Sequence, residues 1–462
     1  MLGLRIAVGI SDRLSIAAAP AQRCDLLHRR PGHARRQLLG SADLYTPHMD
    51  RLAAEGVRFT QAYAHAVCCP ARAMLLTGRY PQRSGVTRWT QGDMKAEFGV
   101  NMALDEVTLA EALRDAGYKT ALFGKWHFGA AKTHGPTEQG FDVFFGHRGG
   151  FIDNYNHHFL HGRGFHDLYE GTTEVFKRGD YFPDLMTKRA VDYIDANQDE
   201  PFFPFFSMNI PHYPEQADPE FDERYKGLPM PRRSYAKMVS TTDNRIGQVL
   251  AKLDALGLTD DTVIVFMSDN GHSEEDNDGI WVDDHTSGLP KGHYYLAHGG
   301  GGNTGKWRGS KGTFYEGGIR VPMMIRYPSQ IGAGTVNDEA VTVMDIMPTV
   351  LELCRVGPPA DVALDGNTLL PLLTDDSSSQ HKVMYWAWGD GWAVREGPWK
   401  LIKPLRSDKM QLVNLDEDEP ERANHLASKP ELVEQLQARH KAWLAGVTPT
   451  AKNQQKSLSC DN

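Results

Sequence analysis

Cys68 and Cys69 stand directly before Pro70, and Ala71 and Arg72 follow. Proline is favoured at the first position of a helix, so Pro70 can open one through residues 71–76. A thiol just before a helix N-terminus meets free N–H groups and the positive end of the helix dipole, which stabilise its thiolate. Cys68 is therefore a candidate nucleophile; a buried cysteine pair beside a core helix is the ordinary alternative. Lys125 and His127 lie just past residues 119–123, which read as a strand, and ligands of open α/β sheets bind outside strand carboxyl ends. Asp269 and Asn270 follow the apolar run 262–267 in an Asp-Asn-Gly turn. Turn chemistry alone explains such a triplet, yet its carboxylate and amide oxygens suit a hard cation such as Ca²⁺. His212, in Pro-His-Tyr-Pro after the Phe-rich run 201–210, makes a third strand end that carries a polar group.

Other patterns carry less. Residues 300–306 fit GxxxxGK, but Trp307 stands where Ser or Thr is needed and no strand precedes, which excludes a nucleotide P-loop. His157, His158, His161 and His166 lie in a Gly/Asn-rich loop without metal-ligand spacing. The acidic run Glu274, Glu275, Asp276 and Asp278 reads as a solvated rim loop bordering the site.

The elements that must position these groups alternate. Residues 49–56 read as a short helix closed by Gly56. Residues 108–116 form a second, capped by Gly117. Ile246, Val249, Leu250, Leu253 and Leu256 share one helix face, and the continuous apolar run 262–267 reads as a strand buried on both sides. The expected fold is α/β: a large, mostly parallel sheet sandwiched by helices, with a smaller C-terminal α+β subdomain. The division predicted is an aberrant segment at 1–40, a catalytic domain at 41–380 with a linker at 375–380, and the subdomain at 381–462. Of the 462 residues, 40% are hydrophobic and 24% charged, as in ordinary globular chains. The net charge of −9 argues against a nucleic-acid binder, and no apolar stretch is long enough for a membrane span. Five cysteines, without a CxxC, make no disulfide framework.

The C-x-P-x-R segment at Cys68, followed by Leu76-Thr77-Gly78-Arg79, resembles the signature of the type I sulfatases, arylsulfatase-like hydrolases of the alkaline phosphatase superfamily. Residues 117–127 (GYKTALFGKWH) are similar to that family's second signature. Thr46-Pro47-His48-Met49-Asp50-Arg51-Leu52, Pro211-His212-Tyr213-Pro214, Asp269-Asn270-Gly271, residues 309–322 (GSKGTFYEGGIRVP) and 393–401 also match, in the family's order. The resemblance implies hydrolysis of a sulfate ester of a small molecule or glycan. It implies that a maturation enzyme oxidises Cys68 to formylglycine, whose hydrate attacks sulfur with one hydroxyl and expels sulfate through the other. By the same resemblance Asp269, Asn270 and the modified Cys68 hold a divalent cation such as Ca²⁺. Lys125 and Lys311 bind sulfate, His127 handles the second hydroxyl, His212 protonates the leaving alcohol, and Arg72 holds the formylglycine. Periplasmic or secreted location is the corresponding expectation, with an export signal not intact in residues 1–40.

One departure stands out. The family carries an adjacent Asp-Asp pair after its first strand, and residues 1–40 contain none; Asp12 and Asp25 are isolated. Read one nucleotide later, the codons for residues 22–39 permit N-V-V-I-F-F-T-D-D-L-G-x-x-D-V-N-C, an apolar strand ending in Asp-Asp. Residues 1–40 therefore read as a frame artefact. Two alternatives to a sulfatase stay open: a phosphate or phosphonate ester hydrolase of the same superfamily, which Cys68 argues against, and a metal-deficient, non-catalytic binder of sulfated ligands.

Overall fold

The protein is described by a computed structural model covering residues 5–11, 41–88, 101–129, 131–161, 164–274, 282, 287–294, 296–375 and 377–448. Its strands, in chain order, are β1 (Arg5–Ser11), β2 (Val57–Tyr63), β3 (Lys119–Lys125), β4 (Val143–His147), the two-residue β5 (His158–Phe159), β6 (Phe165–His166), β7 (Tyr169–Glu170) and β8 (Thr173–Glu174), then β9 (Phe202–Met208), β10 (Thr262–Ser268), β11 (Arg320–Arg326), β12 (Thr335–Thr342), β13 (Val383–Trp388), β14 (Gly391–Glu396), β15 (Trp399–Lys403) and β16 (Gln411–Asn414). Ten of them make one sheet, ordered β12-β2-β11-β10-β1-β9-β3-β4-β7-β8. Its centre, from β10 through β1, β9 and β3 to β4, is parallel. Every residue of β9 and β10 is buried, as continuous apolar runs covered on both faces require.

The sheet is more mixed than the sequence predicts. β11 runs antiparallel to both β10 and β2. A parallel return needs a crossover to the far edge, usually on a helix. Between β10 and β11 the only helix among the described residues is the four-residue Glu316–Ile319, so the chain re-enters from the edge it left. β1 fills the slot between β10 and β9, with Ser11 opposite both Ser268 and Met208. The ten-stranded sheet thus takes in residues 5–11 along with strands drawn from 41–380. Asp12, Asp25 and the span 22–39 lie outside the described residues.

Helices Pro47–Glu55, Phe182–Ala196 and Arg232–Ala255 cover one face, and Cys68–Thr77, Leu109–Asp115 and Ile346–Leu353 the other. Thr108 and Glu111 close a capping box on Leu109–Asp115, of the kind that contributes about 1 kcal/mol. Helix Arg232–Ala255 starts well before Ile246, the first residue of the predicted helix face. Its interior Thr241 and Thr242 satisfy their hydroxyls on the carbonyls of Lys237 and Met238, so polar residues do not interrupt it. Strands β13–β16 form an antiparallel sheet with helix Pro430–Val447 packed on it through Leu436. Trp386 docks this unit by donating its indole N–H to the Ala64 carbonyl at 2.8 Å. No helix among the described residues is long and apolar enough to cross a membrane.

Candidate active site

Helix Cys68–Thr77 begins at Cys68 itself, with Val67 as its N-cap, rather than at Pro70. Cys68 therefore presents its thiol from the first turn, and all ten helix residues are buried. One turn on, Arg72 reaches three strand ends. Its Nε donates to Asp269 Oδ2 at 3.0 Å, and its Nη1 donates to the Lys125 carbonyl at 3.0 Å and to Ser207 Oγ at 2.6 Å. Ser207 Oγ in turn donates to the Lys125 carbonyl at 2.6 Å. A buried guanidinium is tolerated only with its donors matched, and the ends of β3, β9 and β10 supply the matches.

Gly124 holds the approach of β3 to β9. Its φ is +118°, and a Cβ there would lie 1.9 Å from the Ser207 carbonyl oxygen. Any side chain would push Lys125 away from Ser207. His127 sits just beyond with φ +74°, its N–H on the Arg148 carbonyl at 3.1 Å. The buried Asp167 carboxylate fixes that loop by accepting the N–H groups of Arg148 and Gly149 at 2.9 and 2.7 Å.

Ligand atoms of Cys68, Cys69 and His127 lie within 4.8 Å of one another. The two thiols are electrostatically unequal. A hydrogen bond from Cys69 pulls the Cys68 thiol down; burial opposes it, and Lys125 and His127 pull the same way as Cys69, leaving Cys68 well below the usual thiol range. Burial pushes Cys69 well up, and burial pushes the His127 imidazole down. The geometry thus selects Cys68 as the ionisable sulfur.

Asp269 and Asn270 follow β10 and are fully buried. Asn270 Nδ2 donates to the Gly271 carbonyl at 2.8 Å, while its Oδ1 is buried with no hydrogen-bond partner among the described residues. An amide oxygen left so, beside a carboxylate, suits a hard cation. Lys311 joins through the backbone. Its N–H donates to the His272 carbonyl at 2.8 Å, and the Gly312 N–H donates to the Ala66 carbonyl at 2.8 Å, two residues before Cys68. His212 leaves the same edge of the sheet, after β9. Its Nδ1 lies 2.8 Å from the Tyr213 carbonyl, and its ring stacks on Phe151 at 5.3 Å and 12°.

Direct contacts therefore gather Cys68, Arg72, Lys125, His127 and Asp269, with Asn270 adjoining. Backbone bonds bring in the Lys311 loop, and strand direction brings in His212. The sequence analysis passed over Ser207, Asp167 and His272. Ser207 is the one polar residue of the run FFPFFSM, and His272 directly follows Asn270-Gly271. The four loop histidines turn ring nitrogens to different partners: His157 to the Asp180 carbonyl, His158 to that of Asn156, His161 to the Tyr213 hydroxyl and His166 to the Glu174 carboxylate. Of the acidic run, Glu275, Asp276 and Asp278 lie outside the described residues.

A family model described as Sulfatase matches residues 30–356, and one described as N-sulphoglucosamine sulphohydrolase, C-terminal, matches residues 306–447. Arylsulfatase J of Mus musculus is 32% identical over 394 residues, 78% of this chain and 60% of its own length. Steryl-sulfatase of Mus musculus is 31% identical over 420 residues, 75% of this chain and 64% of its own. The chain thus spans less than two thirds of these two relatives. N-acetylgalactosamine-6-sulfatase of Homo sapiens is 30% identical over 389 residues, 76% of this chain and 69% of its own. Among solved structures, Ps i-CgsB in complex with k-i-k-neocarrahexaose superposes with a TM-score of 0.77 at 26% identity, over 96% of this chain and 93% of that one. The phosphonate monoester hydrolase of Agrobacterium radiobacter, at 20% identity and a TM-score of 0.62 over 95% of this chain and 96% of that one, shares the fold.

Proposed function

We infer the chemistry from the membership these matches establish: the chain belongs to the sulfatase family. We propose that it hydrolyses sulfate esters, with carbohydrate sulfates as the natural class. The Arg72-centred junction carries this reading, because it ties the helix that presents Cys68 to the end of β3 at Lys125 and to the Asp269 carboxylate. The substrate class is supported by an N-acetylgalactosamine-6-sulfatase among the relatives and by the neocarrahexaose complex among the similar structures.

Oxidised to an aldehyde by a maturation enzyme and hydrated, the Cys68 side chain supplies one hydroxyl to attack sulfur and a second whose deprotonation releases sulfate. Lys125 and Lys311 bring positive charge to the oxygens of the transferring group, where it counts most as the S–O bond breaks. His127, kept neutral by burial and within reach of Cys68, accepts the proton of the second hydroxyl. His212 gives a proton to the departing alcohol. Its Nδ1 lies 2.8 Å from the Tyr213 carbonyl, which helps to orient the ring for that task. Arg72 aims the Asp269 carboxylate through the Nε–Oδ2 bond. Asp269, Asn270 and the modified Cys68 would hold a Ca²⁺ or similar ion, which polarises the sulfate. These donors fit a hard cation but fill only part of its usual shell of about six to eight oxygens.

Sulfate release from 4-nitrophenyl sulfate tests the reading, with calcium present and the chain coexpressed with a formylglycine-generating enzyme. Turnover that needs coexpression is the expected result. Turnover of a phosphonate ester but not the sulfate would transfer the chain to the alternative chemistry; Cys68 weighs against that.

A further inference from the structure

A cavity of about 630 Å³ opens beside the β5–β6 hairpin, away from the Cys68 helix. That volume lies in the range of small-molecule sites. His158, Phe165 and His166 line it from the hairpin, Glu174, Phe176 and Arg178 from the segment after β7. Its groups are unequally committed. Glu174 is bound to His166 Nδ1 at 2.8 Å. Arg178 makes no hydrogen bond or ion pair among the described residues. Its guanidinium lies against Gly288, where φ is +77° and a Cβ would sit 2.4 Å from Nη2. Glycine thus leaves room for the charged head at the cavity wall. Phe176 stacks on His166 at 4.3 Å and 17° while remaining 70% exposed, which makes a flat apolar platform at the mouth.

An uncommitted guanidinium beside a flat aromatic face suits one class of ligand. A sugar ring lays its C–H face on an aromatic ring, and a sulfate or carboxylate on that sugar accepts two N–H bonds from arginine. The cavity is also tied to the catalytic edge. Phe165 touches Phe159 at 5.0 Å between ring centres, Phe159 touches Phe151 at 4.9 Å, and Phe151 stacks on His212 at 5.3 Å. Three ring contacts separate the cavity wall from the group assigned to the leaving alcohol.

We propose that this cavity binds a second, anionic saccharide unit of the same oligosaccharide whose sulfate is cleaved at Cys68, with Arg178 holding its anion and Phe176 its ring. The proposal rests on the sulfatase reading and adds a preference for chain length. Arg178→Ala and Phe176→Ala test it against two substrates, a sulfated galactan hexasaccharide and 4-nitrophenyl sulfate. For each variant kcat/KM on the hexasaccharide should fall about tenfold or more, while the aryl sulfate stays within about twofold. Equal losses on both substrates, or none on either, overturn the proposal. Calorimetric titration of the hexasaccharide into wild type and variants separates the two readings. An affinity weakened by the same factor supports the cavity even if the wild type turns over neither substrate, and an unchanged affinity overturns it even if the wild type is an active sulfatase.

Discussion

Arg72 Nε lies 3.0 Å from Asp269 Oδ2, and solvent reaches neither side chain. One helix residue thereby fixes the carboxylate at the end of β10 and, through Nη1, the carbonyl at the end of β3. Removing one partner of such a buried pair costs about 3–5 kcal/mol, because the other charge stays buried alone. Arg72→Ala should therefore lose that much stability in chemical denaturation. Arg72→Lys should stay folded, but an ammonium cannot reproduce the fork that spans Asp269, Lys125 and Ser207. Its sulfate release should drop about 100-fold, the penalty of misplacing reacting groups by about 1 Å. Near-normal turnover in Arg72→Lys would show that the junction does not position the site.

The adjacent cysteines should part company in maturation. Cys68 is the sulfur on which the hydrogen bond of Cys69 and the charges of Lys125 and His127 converge, and Cys69 is pushed the other way by burial. Peptide mass spectrometry after coexpression with the maturation enzyme should find the thiol mass lost at Cys68. Cys69→Ala removes that hydrogen bond but leaves Lys125 and His127 beside Cys68, so modification and activity should persist, whereas Cys68→Ala should lose both. Modification at Cys69, or full activity of unmodified protein, contradicts this.

Lys125, His212 and Asp269 could be placed from the sequence because each follows an apolar run that reads as a strand, whereas Arg72 and Lys311 entered only through the family resemblance. Ser207 and Asp167 were legible by neither route. Their partners lie 135 residues away at Arg72, for Ser207, and on the Arg148–Gly149 backbone, for Asp167. Composition and periodicity carry no trace of such bonds. The direction of β11 was hidden for a related reason, since the long loop between Asp269 and Ile319 has no periodic pattern to show at which edge it returns.

Lys400 Nζ is buried between Glu316 Oε1 at 2.8 Å and Glu421 Oε1 at 2.9 Å. Glu316 closes the loop that carries Lys311, and Lys400 and Glu421 belong to the C-terminal unit. Burial pushes the Glu316 carboxyl up, but Lys400, Arg320 and Arg395 outweigh it and hold it at about 2. Burial carries Glu421 up to about 7 against the pull of Lys400. Lys400→Met would leave two carboxylates without their shared cation and should cost about 3–5 kcal/mol. Glu421→Gln should cost less, since its amide oxygen can still accept from Lys400 and one buried charge disappears, although its NH2 then faces the Glu316 N–H that Glu421 Oε2 accepts at 2.7 Å. Urea denaturation of both variants measures the difference, and equal costs would mean that the pairing contributes little.

Asp243, on helix Arg232–Ala255, caps helix Pro47–Glu55 by accepting the N–H groups of His48 and Met49 at 3.1 and 2.8 Å. Burial raises its carboxyl to about 7 despite those bonds, and the nearby Asp50 pushes the same way. The native state then keeps a proton that the unfolded chain has released above about pH 4. The contribution of Asp243 to stability falls as pH rises from about 4 to about 7, by the linkage of one proton. Asp243→Asn cannot titrate, so the slope of its unfolding free energy against pH should be more positive by about one proton across that window. Parallel profiles for wild type and variant, measured by urea denaturation at several pH values, would mean that Asp243 is ionised throughout.

The coding DNA should contain Asp-Asp codons one base out of frame at residues 29–30, with a one-base discrepancy near codon 40. Two carboxylate and amide donors, Asp269 and Asn270, leave a hard cation short of oxygens, and residues 1–40 offer no adjacent acidic pair to complete its shell. The shifted codons of residues 22–39 permit an apolar strand that ends in such a pair. Arginine codons read this way yield aspartate in only some of their options, so the two acidic codons alone prove little. The apolar run before them is more demanding, because it needs T at several second positions together. The slot for that strand lies between β10 and β9, which Arg5–Ser11 occupies here with Ser11 opposite Ser268. If the frame is restored, the corrected chain should bind calcium more tightly than the chain as it stands and should release sulfate faster. Resequencing decides the first point and calcium titration of both chains the second. A single uninterrupted frame without Asp-Asp codons refutes the proposal.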